Sequence, residues 1–350
     1  MEKIAKILLF SIAFSIVSCS NDDNDLLYIQ PADNAADNTN GTEGHSGYNS
    51  KGNPGNGEGS TEAVKYVDAN GDIAYVPTGF TVSEREGEQT IRTGLVVIGT
   101  DGSEYVWIPT TQTALSVREF HSYFGGGSIA SYHDETNLPE YQEMVESVNS
   151  FGGFYIGRYE ASFGSGNSLS NYIPASKPVT RDQPGRIWVQ FSPQDATVAC
   201  QNLYSGNSSV RGFFPWGINW DTMLQWLVDS KCKTLEEVAS NSTSWGNYSD
   251  DTFSQNAQGN YTGAYEEANS NNIYDLAGNN WEWTQERNGS NYVMRGGGYN
   301  LMGGACSGSR YPAAVRDPLP GNNHHPNVCF RSALYIAFGS EASGITDITM

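Results

Sequence analysis

Alternating apolar and polar residues open the foldable part of the chain. The run "AVKYVDANGDIAYVPTGFTV", Ala63 to Val82, contains two strand-like stretches on either side of the turn signal Asn70-Gly71. A second pair follows in "TGLVVIGTDGSEYVWIP", Thr93 to Pro109, again around an Asp-Gly step. These patterns predict that the domain begins with β-hairpins.

Three later stretches have the period of an amphipathic helix. In "LPEYQEMVESVNSF", apolar residues recur at i, i+3, i+4 and i+7 from Tyr141, behind Pro139 at a first-turn position. In "FSPQDATVACQNLY", Ser192 is the predicted cap and Pro193 the first helical residue. "NWDTMLQWLVDS" repeats the period from Trp220. Such apolar stripes face the core of a protein. A few helices among many short strands predict one α+β domain over residues 63–338.

The N-terminal stretch "MEKIAKILLFSIAFSIVSC" reads as an export signal. Its apolar run follows two lysines and is too short to span a membrane, which takes about 20 apolar residues. "IVSC" resembles a bacterial lipobox, which predicts a signal peptide over residues 1–18 and lipidation of Cys19; an ordinary secretory signal is the alternative. The acidic "SNDDND" that follows resembles a sorting tag for the outer cell surface. We therefore expect a protein anchored by lipid to the outer membrane and exposed at the cell surface.

Composition separates the domain from both ends and excludes one class of partner. Residues 19–62 are dominated by Asn, Asp, Gly and Ser, which predicts a disordered tether, and residues 339–350 form a short tail. The formal net charge is −20. Because such an acidic surface repels phosphate backbones, nucleic acid is not an expected partner.

Four cysteines remain after Cys19. An even number in an exported protein favours disulfides, and four cysteines permit three pairings. We expect the nearest-neighbour pairing, Cys200 with Cys232 and Cys306 with Cys329, although the sequence leaves the other two open.

Six motifs carry a resemblance to a known family. They are "FYIGRYEAS" (Phe154–Ser162), "KPVTRDQPGRIWVQFSPQDATVACQNLY" (Lys177–Tyr204), "FFPWGINWDTMLQWL" (Phe213–Leu227), "NIYDLAGNNWEWT" (Asn272–Thr284), "VMRGGGYN" (Val293–Asn300) and "CFRSALY" (Cys329–Tyr335). Their order and spacing resemble those of the sulfatase-modifying, formylglycine-generating enzymes. The resemblance implies a C-type-lectin-like fold, with a twisted, mostly antiparallel sheet, flanking helices and many loops. This fold carries an oxidase as well as non-enzymatic binding proteins, including the variable receptors of diversity-generating retroelements.

The enzymatic branch of that family uses two cysteines five positions apart that bind copper as thiolates. Aligned on the Arg-Gly-Gly turn at Arg295, the second cysteine is Cys306, but the first position is Leu301. Leucine offers no ligand atom, so we expect no copper and no catalytic residues. A disulfide from Cys306 to Cys329 would instead clip the intervening loop to the last strand; two free thiols or a redox role are the alternatives.

The resemblance also implies a structural calcium ion in "YDLAGNNWEW". The implied ligands are the side chains of Asp275 and Glu282 and the carbonyls of Gly278 and Asn280, since calcium prefers hard oxygen ligands. The alternative is a capped turn with its tryptophans in the core.

The loop from Tyr299 to Asn327 is the segment that such a fold would expose. Its candidate ligand-binding residues mix aromatic, amide, imidazole and aliphatic groups: Tyr299, Asn300, Leu301, Met302, Tyr311, Asn322, Asn323, His324 and His325. We expect a surface lipoprotein whose lectin-like domain binds an extracellular protein or glycan. A narrower form makes this loop the hypermutated target of a retroelement. The alternatives are a modifying oxidase on the same fold and a structural surface component.

Overall fold

The hairpins and helices that the sequence predicts are all present. The structure is a computed structural model that describes residues 63–111, 115, 129–166, 172–180, 186–248, 261–299, 311–322 and 324–338. These residues lie within one compact unit, Ser46–Met350. None of the helices in these ranges is long and apolar enough to cross a membrane. The predicted signal peptide, Cys19, the tether and the tail lie outside the described residues.

Short strands and four α-helices make up the described chain. In chain order the strands are β1 (Val64–Val67), β2 (Ile73–Val76), β3 (Thr81–Val82), β4 (Val96–Ile98), β5 (Glu104–Pro109), β6 (Tyr132–His133), β7 (Gly153–Gly157), β8 (Ser162–Ser165), β9 (Ile173–Ala175), β10 (Val210–Phe213), β11 (Asn269–Ser270), β12 (Ile273–Tyr274), β13 (Trp281–Asn288), β14 (Asn291–Arg295), β15 (Asp317–Leu319), β16 (Val328–Phe330) and β17 (Ala333–Ile336). The helices are α1 (Pro139–Phe151), α2 (Pro193–Gln201), α3 (Gly217–Asp229) and α4 (Leu235–Ala239). The α+β prediction is confirmed.

The first residues of each long helix are fixed by a specific capping interaction or by a proline. Pro139 occupies the first turn of α1, and Gly152 ends that helix in a left-handed conformation. In α2, the Ser192 hydroxyl accepts the N–H of Asp195, whose carboxylate accepts the N–H of Ser192, a complete capping box. Helix α3 begins at the carboxylate of Asp134, which accepts the N–H groups of the first two helical residues at 2.9 Å each.

Two larger sheets organise the domain, and most of their pairings are antiparallel. The six-stranded sheet has the order β10-β17-β7-β5-β4-β3, and the five-stranded sheet joins β15-β14-β13-β16 with β6 also paired to β13. Strands β13 and β16 pair in parallel. The chain passes from β16 in one sheet to β17 in the other through only Arg331 and Ser332. Those two residues therefore lie where the sheets meet.

A connection of eight residues crosses the five-stranded sheet. Strand β15 lies at one end of the order and β16 at the other, so residues 320–327 must pass β14 and β13. Gly321 lies against the Tyr292 ring of β14, where a Cβ atom would come within 2.6 Å of the ring. At its end, the carbonyl of Asn327 accepts the N–H of Trp281 on β13 at 3.1 Å. We call residues 320–327 the crossover.

The core contains charge as well as apolar side chains. Arg295 and Arg316 are both fully buried, and each pairs with both Asp221 and Glu286. The Arg295 guanidinium lies 2.5 Å from Asp221 and 2.9 Å from Glu286. This network of two cations and two anions connects α3, β13, β14 and the segment before β15, and its formal charges cancel.

We predict that Arg316→Met lowers the free energy of unfolding by about 3–5 kcal/mol, because it leaves two buried carboxylates with a single cation between them. Urea denaturation measures the change. The matched control is Arg92→Met, whose side chain is 71% exposed and pairs with Asp72 at the surface. That control should change stability by less than about 1 kcal/mol. Equal effects of the two substitutions would contradict the role given to the network.

Candidate functional site

The turn before β13 has a backbone that few residue types adopt. We call residues 275–281, up to and including the first residue of β13, the core turn; Asp275, Gly278 and Asn279 all have left-handed backbones, with φ of 58°, 84° and 55°. Asn and Asp tolerate this region, and glycine adopts it without strain. Gly278 has a second reason to be glycine, since a Cβ atom there would lie 2.3 Å from the carbonyl oxygen of Asn247. The residue types of this motif are therefore explained by the backbone conformation that the turn requires.

The carboxylate of Glu160 accepts hydrogen bonds from the core turn. This buried carboxylate accepts the backbone N–H of Asn280 at 3.1 Å and the side-chain amide of Asn279. The Cys329 thiol also lies within hydrogen-bonding distance, 3.4 Å from the same carboxylate. Burial raises the pKa of Glu160 well above its usual range, and the negative charge of Asp275 raises it further. Glu160 thus joins the end of β7 to the turn and to β16.

The predicted calcium ligands are committed to protein donors. One oxygen of Asp275 accepts the Asn247 side-chain amide at 3.1 Å and the other accepts the Gly263 N–H at 2.9 Å. Both oxygens of Glu282 accept from the guanidinium of Arg331, at 2.7 and 3.1 Å. No group of three or more His, Cys, Asp or Glu side chains suited to a metal is found among the described residues. Because protein donors occupy both carboxylates, the arrangement favours the alternative of a structural capped turn over a calcium site.

The carbonyl ligands implied for calcium are part of the same structural turn. The Gly278 N–H donates to the Gly296 carbonyl at 2.8 Å, which joins the core turn to the glycine run after β14. Asn280 donates its N–H to Glu160. Trp281 and Trp283 are both buried, as the alternative of a capped turn with core tryptophans requires.

Both ends of the predicted loop meet the core turn. We call residues 299–327 the display segment. At its start, the N–H of Tyr299 donates to the Asn279 carbonyl at 2.7 Å; at its end, the carbonyl of Asn327 accepts from Trp281 at 3.1 Å. Asn279 and Trp281 are two residues apart, so one short turn holds both ends of a segment of about thirty residues.

Tyr311 is a correction to the predicted ligand-binding set. It is buried rather than exposed, and its ring lies 5.5 Å from that of Trp281. Its carbonyl accepts the Tyr248 hydroxyl at 2.7 Å. A Cβ atom at Gly297 would lie 2.6 Å from the Tyr311 carbonyl oxygen, so glycine permits this close approach. Tyr311 therefore fixes the middle of the display segment to the core.

The other described candidates lie at the surface or at its edge. Asn322 and His324 are exposed, and His325 and Tyr299 are half-buried. The ring of His325 accepts the N–H of Asn327 through Nδ1 at 3.2 Å, which turns the end of the crossover. The crossover thus brings Asn322, His324 and His325 together, while Tyr299 joins them only through the core turn. Asn300, Leu301, Met302 and Asn323 lie outside the described residues.

The predicted bridge between Cys200 and Cys232 is absent, whereas the bridge between Cys306 and Cys329 stays a prediction because Cys306 lies outside the described residues. Cys200, Cys232 and Cys329 are free thiols. Cys200 lies in the cluster beneath the six-stranded sheet, whereas Cys232 packs against the cluster around α3, so their side chains belong to different parts of the core. The Cys329 thiol lies 3.4 Å from the Glu160 carboxylate, to which it donates a hydrogen bond. Cys306, its predicted partner, lies outside the described residues.

Sequence reasoning missed the residues that hold the site together. Glu160, Asn247 and Arg331 were not among the candidates, yet each binds the core turn or its neighbours. The one local signal is the pair of charged residues that follows the buried strand in "FYIGRYE", where Arg158 and then Glu160 enter the core. The hydrogen-bond partners of Glu160 are about 120 residues away in the sequence, so no local pattern identifies them.

We predict that calcium leaves the thermal unfolding midpoint unchanged, because the carboxylates of the core turn already have protein donors. A native-state ligand at 100 times its Kd would stabilise the protein by about 2.7 kcal/mol, which a thermal scan detects easily. The measurement compares scans in millimolar calcium and in a chelator, with magnesium as the control for ionic strength. A rise in the midpoint specific to calcium would contradict the structural role of Asp275 and Glu282.

The comparisons with known proteins agree with the motifs. Residues 219–336 match the family described as Sulfatase-modifying factor enzyme 1-like domain. No curated protein matches the sequence at a significant level. Among solved structures, CarF is 15% identical with a TM-score of 0.32, over 54% of this chain and 88% of its own. Treponema denticola variable protein 1 is 14% identical with a TM-score of 0.26, over 77% and 98%.

TM-scores this low carry no argument about function, so the assignment rests on the family match and on the observed elements. The described residues form four α-helices and mostly antiparallel sheets, as expected for a C-type-lectin-like fold. The matched residues include the core turn, the buried arginines of the core network and the display segment. The resemblance predicted from the sequence is confirmed over residues 219–336, which match the sulfatase-modifying factor enzyme 1-like domain.

Proposed function

We propose that this domain binds an extracellular protein or glycan through its display segment. The observation that supports the proposal is the attachment of that segment: both ends meet the core turn, and buried Tyr311 fixes its middle. Between these points, in the part of the segment that the structure describes, Asn322 and His324 are exposed. A rigid scaffold that exposes a loop of this kind is a common arrangement for recognition.

The exposed groups suit hydrogen bonding rather than burial. Asn322 offers an amide with two donors and an acceptor, and His324 offers an imidazole. Both lie on the crossover, whose backbone is held at Gly321 and Asn327. Because the backbone is held, a ligand that binds these side chains does not have to order the loop first, and this lowers the entropic cost of binding.

The proposal assigns no catalytic role to the domain. Leu301 stands where copper-binding members have their first cysteine. Cys329, the described cysteine that follows Leu301 in the sequence, is fully buried. Burial raises the pKa of its thiol well above the usual range, and the negative charge of Glu160 raises it further. A thiol held protonated is a poor copper ligand and a poor nucleophile. A modifying oxidase remains the second candidate, and stoichiometric copper binding with oxygen uptake in the presence of a thiol peptide would favour it.

The remaining parts of the proposal concern where the domain is displayed and how it varies. The lipobox-like "IVSC" supports a lipid anchor at Cys19 and exposure on the outer membrane. The asparagines in the sequence of the display segment suit diversification by a retroelement, whose variable positions are rich in asparagine codons. A reverse-transcriptase gene and an adenine-biased template repeat beside the gene would support that form; their absence would remove it.

We predict that the double substitution Asn322→Ala/His324→Ala abolishes ligand capture without changing the unfolding midpoint, since both side chains are exposed. Binding is measured on arrays of glycans and extracellular proteins, first with the wild-type chain and then with the variant. The matched control is Asn149→Ala/His133→Ala, which removes an exposed asparagine and an exposed histidine from α1 and β6. Retained capture by the first variant, or equal loss in the control, would contradict the proposal.

We also predict that Cys19→Ala prevents incorporation of an alkyne-labelled fatty acid and releases the protein from the membrane fraction. The measurement is metabolic labelling followed by fractionation of the expressing bacterium. Cys232→Ala serves as the control, because it removes a half-buried thiol that no anchoring step uses. Labelling that survives Cys19→Ala would show that the lipid is attached elsewhere or that the anchor is absent.

A further inference from the structure

A cavity of about 250 Å³ opens beside the edge strand of the six-stranded sheet, away from the display segment. It lies between α1, α2, β10 and β17, with one residue from β13. Its lining residues that matter here are Glu140, Glu143, Arg211, Phe213, Trp216 and Tyr335. None of the lining residues belongs to residues 299–327, so the site is independent of the proposed recognition surface.

The floor of the cavity is aromatic and fixed. Phe213 and Trp216 are buried and their rings stack at 5.3 Å. Tyr335 lies 5.6 Å from Phe213 and is also buried. These rings are held by the core on their far sides, so the floor is preformed and offers an apolar surface to a small ligand.

The rim carries opposite charges that do not pair with each other. Glu140 and Glu143 project from one face of α1, and Arg211 comes from β10. No ion pair involves any of the three among the described residues. Arg211 is oriented by the backbone instead, since its Nη1 donates to the carbonyls of Asn207 and Val210 at 2.9 and 3.0 Å. An anion-binding group and two cation-binding groups therefore face one small space.

The Tyr335 phenol connects the floor to the rim. Its hydroxyl donates to Glu143 at 2.8 Å, which leaves the second oxygen of that carboxylate for another donor. Burial raises the pKa of Tyr335, the hydrogen bond to Glu143 raises it further, and Arg211 opposes the shift. The phenol therefore stays a donor. Tyr335 contacts Glu143 and is the cross-strand partner of Arg211, so it links the two sides of the rim.

We infer that this cavity binds a small zwitterion of the free amino-acid type. The ligand carboxylate pairs with Arg211, the ammonium pairs with Glu140 and Glu143, and an apolar side chain lies on Phe213 and Trp216. A singly charged ligand would satisfy only one side of the rim, and a neutral sugar would use neither charge. The volume agrees, because sites for drug-sized ligands occupy about 300–1,000 Å³ and this one is smaller.

The first experiment uses the purified full-length chain and isothermal titration calorimetry. The probes are L-leucine, L-phenylalanine and L-glutamine, followed by the amide and the N-acetyl derivative of whichever binds most tightly, with glucose as the neutral comparison. We expect at least tenfold weaker binding when either the carboxylate or the amine is blocked. Blocked derivatives that bind equally well, binding of glucose in place of the amino acids, or no binding by any probe would overturn the inference.

Variants separate the two halves of the rim. Arg211→Gln should weaken the free amino acid at least tenfold and leave its amide unaffected, because the amide has no carboxylate to lose. Glu140→Gln/Glu143→Gln should weaken the free amino acid and leave the N-acetyl derivative unaffected. Glu146→Gln, on α1 but outside the cavity, and Arg92→Gln are the controls. Loss of every probe in either rim variant, with an unchanged unfolding midpoint, would overturn the assignment of charges.

Discussion

The ion pair between Arg331 and Glu282 lies where the two sheets of the domain meet, and the other contacts of the site depend on it. Arg331 is 1% exposed and donates to both oxygens of Glu282, to the Gly157 carbonyl at the end of β7 and to the Tyr274 carbonyl in β12. Almost every donor of the guanidinium is used. A buried pair is costly to desolvate and is stable only when its geometry is this complete.

This pair explains why the core turn can be so unusual in its backbone. Because Glu282 is fixed by Arg331, β13 begins at a defined position, and Glu160 can then bind the N–H of Asn280 just before it. The turn in turn supplies the carbonyl of Asn279 and the N–H of Trp281 to the display segment. The buried ion pair, the core turn and the display segment are therefore linked by contacts, each of which depends on the one before it. The cavity beside β10 does not take part in these contacts and lies against the other sheet.

The sequence predicts what is local and misses what depends on distant partners. The Asn70-Gly71 hairpin, the Ser192 cap and the Pro139 start were predictable because their signals lie within a few residues of their effects. Tyr311 was included among the ligand-binding candidates because it lies in the loop that the fold was expected to expose. Its burial depends on Gly297 and on Trp281, thirty residues earlier, which no periodicity connects.

Chemical identity alone also does not decide between the alternatives at the calcium and disulfide positions. Asp275 and Glu282 have the oxygen atoms that calcium prefers, but whether those atoms are free depends on Arg331, 49 residues after Glu282. Similarly, an even cysteine count favours bridges, yet Cys329 faces a carboxylate and Cys200 faces the core. The resemblance to a family predicted the fold, because the family's motifs reflect required backbone conformations. It was less informative about which polar atoms are left without a protein hydrogen-bond partner.

The crossover has more chain than its path requires. Its eight residues could span roughly 26 Å when extended, whereas crossing three strand spacings takes about 14 Å. The surplus lets residues 320–327 rise from the sheet, and it means that the strands do not fix the length of this connection. Because loop-closure entropy grows only with the logarithm of length, a longer crossover would cost less than about 1 kcal/mol for each doubling. The surface can therefore change size as well as sequence between relatives while the sheet beneath it stays the same.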